Sequence, residues 1–292
     1  MALCPGVTLL LSSGYENELS LRMAVVHQDQ RLHQPRYRLG AVSYLNAKPL
    51  VSGLEHDPEI ELIFDVPSRL PALLEEGRVD AALVPVIDLA SPNRPWRIVS
   101  DACIGCDGET FTVRVFSRVP ANQVRRLVVD GDSHTSVTLA RIIWKESFGV
   151  DLELSPLVGR EPPPESEALL LIGDKVVNHG LIGFDMQTDL GQAWKSLTGL
   201  PFVFAVWACD NNAPDTSDLA KCLENARDAG VRSAKLIAAD YGPGMGWPVH
   251  LAERYLTSRL KFRLTPRHQT AMEKFFDYAK LLDPIGVHLP CF

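Results

Sequence analysis

The chain has 292 residues, 46% hydrophobic and 22% charged, with a formal net charge of −7. The length suits two units of roughly 100–150 residues, and the composition excludes a disordered or fibrous chain. The acidic balance argues against nucleic acid, which asks for a basic stripe, and leaves open a small anion, which hydroxyls and helix N-termini hold locally.

Residues 1–36 are polar and aperiodic, and read as a leader outside the fold, either without order or preceding the true start. The apolar stretch Val7 to Leu11 is too short for an export signal, and no Lys or Arg precedes it. No run reaches the ~18 apolar residues of a membrane span. A cytoplasmic protein with no membrane partner is therefore expected. Six cysteines, at positions 4, 103, 106, 209, 222 and 291, are too scattered for a disulfide framework and read as reduced thiols.

Strand character begins at Tyr37–Val42 and runs into Ser43, Tyr44, Leu45 and Asn46, before a helical stretch with Pro49 in its first turn. Ile60–Phe64 reads as a second strand and Val79–Val84 as a third. Between them lies a helix with Ser68 as N-cap and Gly77 as its stop. Two such crossovers in succession favour a parallel sheet. Ligands bind beyond the carboxyl ends of strands in such sheets. That rule puts Ser43 to Asn46 at the mouth of a cleft.

A second series follows: Val113–Ser117, Leu127–Asp130, a helix over about Ser136–Phe148, and Ala168–Asp174. The Pro-rich stretch Glu161–Pro164 is a loop, since consecutive prolines sustain neither ladder nor helix. The apolar run Phe202–Ala208 is a buried strand, read as the return crossing to the first unit. Helical spacing then covers Asp218–Ala239, Val249–Leu256 and Pro266–Leu282. The resulting division is residues 37–112 plus 208–292 for lobe I and residues 113–207 for lobe II.

Three segments carry chemistry. Ser43, Tyr44 and Asn46 set a hydroxyl, a phenol and a carboxamide at a strand-to-helix turn, which serves either a ligand or a capped turn. Asp132-Ser133-His134-Thr135-Ser136 follows a strand and opens a helix. Its hydroxyls and orphan amides suit a carboxylate, and they also compose a plain N-cap. In Asp107-Gly108-Glu109-Thr110-Phe111-Thr112, a glycine turn feeds a strand at the crossing between lobes, and Thr112 there either faces the cleft or is an ordinary strand threonine. Cys103 and Cys106 have the spacing of a metal or redox pair, but no second pair completes four ligands. Asp174 and Asp189 could serve acid/base work or act as caps.

In this order, the segments resemble the chorismate dehydratases of the futalosine route to menaquinone. The resemblance runs over roughly residues 38 to 285 through SYLNAKPL at Ser43, PSRLPALLEEGRVDAALVP at Pro67, CIGCDGETFTVRVFS at Cys103, DSHTS at Asp132, ALLLIGD at Ala168, DLGQAWKSLTGLPFVFAVWA at Asp189 and YLTSRLKFRL at Tyr255. It implies an α/β, type II periplasmic-binding-protein fold, whose two lobes each carry a mainly parallel sheet flanked by helices. It implies conversion of chorismate to 3-[(1-carboxyvinyl)oxy]benzoate and water, with no cofactor and no metal. Asn46 then takes the catalytic role, and Ser43, Tyr44, Thr112, Ser133, Thr135, Ser136 and Asp174 become the substrate-binding set. The chain departs from the family pattern at Cys106, Glu109 and Thr110, and at Thr112, where serine is common. A non-catalytic solute-binding protein and the related 1,4-dihydroxy-6-naphthoate synthase would share the same fold.

Overall fold

The structure is a computed structural model describing residues 35–159, 167–178 and 184–282. Residues 1–34 of the expected leader and the loop Glu161–Pro164 lie outside the described residues. Among the described residues no helix is long and apolar enough to cross a membrane.

The first sheet contains β1 (Tyr37–Val42), β2 (Ile60–Asp65), β3 (Ala81–Pro85), β4 (Trp96–Cys106), β10 (Phe202–Asp210) and β11 (Leu260–Arg263). The second contains β5 (Val113–Ser117), β6 (Arg126–Val129), β7 (Glu153–Pro156), β8 (Ala168–Ile172) and β9 (Met186–Asp189). Their orders are β11-β4-β10-β3-β1-β2 and β7-β6-β8-β5-β9. The double crossover expected from the sequence is present, since β1 pairs in parallel with both β2 and β3.

The sheets are mixed, however, and in this detail the expectation of mainly parallel sheets is corrected. β10 runs antiparallel to β3 and β4, β11 antiparallel to β4, and β5 antiparallel to β8 and β9. The cause is the path of the chain. It leaves the first sheet through β4, builds the second, and returns through β10, so the outgoing and returning strands lie side by side in opposite senses.

β10 belongs along its whole length to the first sheet. Phe202–Trp207, assigned to lobe II from sequence, therefore lie in lobe I, and the return crossing precedes Phe202. All but the last residue of β10 is buried, as an unbroken apolar run requires of a strand covered on both faces. Trp194, on the helix Leu190–Thr198, packs edge-on against Phe202 and Phe275 and ties the returning segment to the C-terminal helix Pro266–Leu282.

Three local expectations change. The segment after β1 is a 3₁₀ helix, Leu45–Val51, with Pro49 inside it instead of in its first turn. Ser68 does not cap the helix Leu70–Glu75; its N–H donates to the Asp132 carbonyl across the cleft (3.0 Å). The helical stretch from Asp218 breaks at Ser233 into Ser217–Arg232 and Ala234–Tyr241, and the helix Val249–Arg254 passes into a π turn, Tyr255–Arg259.

Candidate active site

Between the lobes, beyond the carboxyl end of β1, lies a cavity. Its polar wall comprises Tyr44, Asn46, Thr110, Thr112, Ser133, Ser136 and Tyr255, and its apolar wall includes Ile104, Ile172, Phe204 and Leu260. Such a mixture, mostly apolar with a few convergent polar groups, characterises small-molecule sites.

The turn after β1 places Asn46 on this wall. Its Oδ1 is buried and has no hydrogen-bond partner among the described residues. Buried polar atoms are nearly always paired, so an orphan oxygen on a cavity wall stands free to accept from a bound molecule. Neither Asn46 nor Tyr44 caps the 3₁₀ helix with its side chain, which removes the capped-turn alternative for Asn46. Tyr255 is itself buried and shares a 2.6 Å hydrogen bond with Thr112 Oγ1. Burial holds its phenol well above the usual range, so it stays protonated.

The helix His134–Phe148 points its N-terminus into the cleft, with Ser133 as N-cap accepting from the Ser136 N–H (3.2 Å). The Ser133 hydroxyl donates to Ser136 Oγ (3.0 Å), which leaves the Ser136 hydroxyl hydrogen for the cavity. Ser133 and Ser136 line the cavity as expected. Thr135 does not: it is fully buried, and its Oγ1 accepts from the Ile87 N–H at 3.3 Å. Adjacent helical residues diverge by about 100°, so the wall that takes Ser136 cannot take Thr135. His134 turns to Asp88, 3.0 Å from its Nδ1.

Two clasps join the lobes. Tyr44 donates its phenol to Asp132, which also receives Lys175; Lys175 bridges on to Asp130 at 3.0 Å. Burial, then the Asp132 charge, raises the Tyr44 phenol above its ordinary value, so it acts here as a donor. Burial and the neighbouring Asp132 likewise raise Asp130. In the second clasp, Asp174 accepts from the Leu45 N–H (3.3 Å) and from Trp247 Nε1 (2.8 Å). Asp174 therefore joins the lobes without lining the cavity. Ser43 also stays off the cavity wall, its N–H donating to the Asp65 carbonyl at 3.0 Å.

At the outgoing crossing, Phe111 is the one non-glycine residue with positive φ among the described residues, at 74°. Such a conformation costs about 1–3 kcal/mol and persists when its surroundings over-determine it. Asp189 accepts from the N–H groups of Thr110 (3.0 Å) and Phe111 (2.7 Å), and Arg114 Nε donates to the Phe111 carbonyl (2.8 Å). The ring packs against Trp247 and Tyr255, which stack on each other at 4.9 Å. Asp189 also caps the helix Leu190–Thr198. Its acceptors serve backbone, so the acid/base alternative for it falls away.

Cys103 and Cys106 stand three residues apart on β4, and among the described residues they belong to no cluster that could hold a metal ion. Burial raises both thiols. Tyr255, Thr110, Asp132 and Lys175 join this arrangement without having been among the expected site residues. Thr110, Asp132 and Tyr255 stood inside quoted segments, and Lys175 did not.

The model of the menaquinone biosynthesis family matches residues 37–281. Chorismate dehydratase of Thermus thermophilus is 27% identical over 236 residues, covering 75% of this chain and 87% of that protein. Chorismate dehydratase of Campylobacter jejuni subsp. jejuni is 22% identical over 251 residues, covering 84% and 98%. Among solved structures, a protein of Archaeoglobus fulgidus matches with a TM-score of 0.63 at 15% identity, over 86% of this chain and 98% of that one. A Candida albicans protein described as having the generic periplasmic binding protein fold matches at 0.57 and 13%, over 85% and 90%. The alkanesulfonate-binding protein of Xanthomonas axonopodis pv. citri matches at 0.56 and 13%, over 85% and 95%. At these identities the structural likeness is one of fold, and the fold is that of the periplasmic binding proteins. With two clasped lobes, a polar cavity between them and a family match across residues 37–281, this protein belongs to the menaquinone biosynthesis family.

Proposed function

We propose that the chain is a chorismate dehydratase, a hydro-lyase that converts chorismate to 3-[(1-carboxyvinyl)oxy]benzoate and water. The observation that carries this reading is the composition of the cavity wall. Among the described residues lining it there is no Asp, Glu, His, Lys or Arg, while Asn46 offers an unpaired buried oxygen. A site without a side-chain base in the neutral range suits a reaction whose substrate brings its own. The names of the two curated relatives support the same reaction.

The step balances without oxidant or reductant. The C–H bond at the ether-bearing ring carbon breaks and its electron pair forms a ring double bond. The neighbouring C–O bond breaks, and the hydroxyl departs with a proton as water. The ring becomes aromatic. We assign proton removal to the enolpyruvyl carboxylate of the substrate and positioning of the departing hydroxyl to Asn46. The Ser136 hydroxyl, the first-turn amides of the helix His134–Phe148 and the hydroxyls of Thr110 and Thr112 hold the carboxylates. The protein's contribution is orientation and exclusion of water.

The test is incubation of purified protein with chorismate, following an aromatic enolpyruvyl ether by absorbance and chromatography. Conversion is expected. Binding without conversion identifies a receptor instead, and formation of 1,4-dihydroxy-6-naphthoate from a later pathway intermediate identifies the related synthase.

A further inference from the structure

The 3₁₀ helix that carries Asn46 begins at Leu45, and its N-cap Tyr44 gives it no side-chain cap. Its first N–H is answered from the other lobe. Leu45 N–H donates to both oxygens of the Asp174 carboxylate, 3.3 Å from each, and Trp247 Nε1–H donates to Oδ1 at 2.8 Å. Asp174 itself follows Gly173, whose N–H donates to the Thr112 carbonyl at 2.9 Å, and its own carbonyl accepts from the N–H groups of Val177 (3.1 Å) and Asn178 (3.2 Å). The carboxylate is thereby mounted beyond the end of β8, in lobe II, while both of its donors belong to lobe I.

We infer that Asp174 is a positioning residue, which sets from lobe II the backbone that presents Asn46 to the ligand. Leu45 and Asn46 are consecutive, so a shift of the Leu45 N–H carries with it the Cα from which the carboxamide projects. Among the described residues the carboxylate receives only these two neutral N–H groups and no cation. Burying a carboxylate with no cation beside it is costly, so cohesion of the lobes alone is poorly served by it. What a carboxylate adds is acceptor geometry, because its two oxygens receive two donors at once. The second donor belongs to another part of the same wall: Trp247 is 2% exposed, and its indole stacks on Tyr255, which lines the cavity.

This inference rests on the dehydratase reading and deepens it. A residue that only fastened the lobes would act on binding, since its loss lowers the closed fraction that retains substrate. Asp174 acts on turnover instead. When it is altered, the other clasp of Tyr44, Asp132 and Lys175 still closes the lobes, and no hydroxyl assigned to the substrate carboxylates is removed. An error of about 1 Å in the placement of a reacting group costs up to ~10²-fold. Substitution separates the two arms. Asp174→Asn keeps the indole bond with its carboxamide oxygen, and sets its NH₂ against the Leu45 N–H, donor facing donor. Trp247→Phe does the converse, removing the indole N–H and leaving the Leu45 bond and an aromatic ring in the stack.

The experiment is steady-state kinetics on chorismate for wild type, Asp174→Asn and Trp247→Phe, with thermal unfolding as a check of folding. Asp174→Asn is expected to lower kcat about 10- to 100-fold with KM within about threefold. Trp247→Phe, which leaves the Leu45 bond in place, is expected to lower kcat less than Asp174→Asn does. A kcat within about twofold of wild type for Asp174→Asn, or a rise in KM without a fall in kcat, overturns the inference and leaves Asp174 a fastener of the lobes. A fall in Trp247→Phe as large as in Asp174→Asn overturns it too, because the effect then does not run through Leu45. If Asp174→Asn does not fold, Asp174→Glu decides by the same split, since it keeps the charge and displaces both oxygens by one methylene. A wild type that does not turn over chorismate sinks the dehydratase reading itself, a result distinct from all of these.

Discussion

The phenol of Tyr44, on the turn after β1, donates across the cleft to the carboxylate of Asp132, on the loop before the helix His134–Phe148. The same carboxylate receives Lys175, so one anion of lobe II holds the cavity wall of lobe I. A hydrogen bond to a charged group contributes about 1.5–3 kcal/mol. Tyr44→Phe is therefore expected to raise KM for chorismate about tenfold or more, with a smaller change in kcat. Unchanged KM in steady-state kinetics would show that this clasp plays no part in binding.

Asn46→Ala removes a buried oxygen on the cavity wall that has no hydrogen-bond partner among the described residues. Turnover should fall by at least about 10²-fold, the scale lost with a single well-placed polar group. Chorismate affinity, measured by calorimetry, should fall far less. A correctly folded variant that retains turnover removes Asn46 from the mechanism.

Gly173 has φ +61, and a Cβ there would stand 2.6 Å from Cδ2 of Tyr44. Alanine must bear both the left-handed backbone, about 1–2 kcal/mol, and displacement of the tyrosine ring. We expect Gly173→Ala to lower the unfolding free energy by at least about 1 kcal/mol and to weaken chorismate binding with it. Urea titration and calorimetry on the same variant check the pair of effects.

Burial lowers the His268 pKa below its ordinary 6.5, against Asp107, which raises it, and alongside Arg267 and Lys261, which lower it further. Thr265 Oγ1 lies 2.7 Å from Nδ1, while Nε2 is unpaired. As pH falls, the unfolded chain takes up this proton first. The folded state is thus disfavoured as pH drops from about 6.5 toward the lower folded value, by up to about 1.4 kcal/mol per pH unit, and unaffected by this group above that window. His268→Gln should flatten the difference in urea midpoint between pH 7.5 and 5.5, values chosen to bracket the ordinary histidine pKa of about 6.5. An identical slope in the variant would assign the pH dependence elsewhere.

The parts legible in the sequence were those whose cause is local. An unbroken apolar run announced β10 as buried, and the hydroxyl-rich segment Asp132–Ser136 announced a helix N-terminus. The run in β10 did not say which sheet it joins, because burial on both faces is the same in either. β4 was missed since its first half is partly exposed and its second half carries Asp101 and Gly105, which broke the strand pattern and left only a cysteine spacing to notice. Thr135 and Ser136 are alike as residue types, and only the helical phase separates a backbone contact from a cavity contact. Tyr255 lay 143 residues from Thr112 in a stretch that reads as plain helix, so nothing near it in the chain signalled its partners.

The π turn Tyr255–Arg259 leads directly into β11, where Leu260 and Phe262 face inward and Lys261 and Arg263 outward. Such a turn holds one more residue than the α-helix would use. Deleting one residue between 256 and 259 would let the turn relax to the α form, the surplus residue being taken up there and β11 kept in step. The strand itself has no such slack: one step in a strand exchanges the two faces, so a deletion within Leu260–Arg263 would point lysine and arginine at the core. Length is consequently forgiving in the turn and strict in the four residues that follow it.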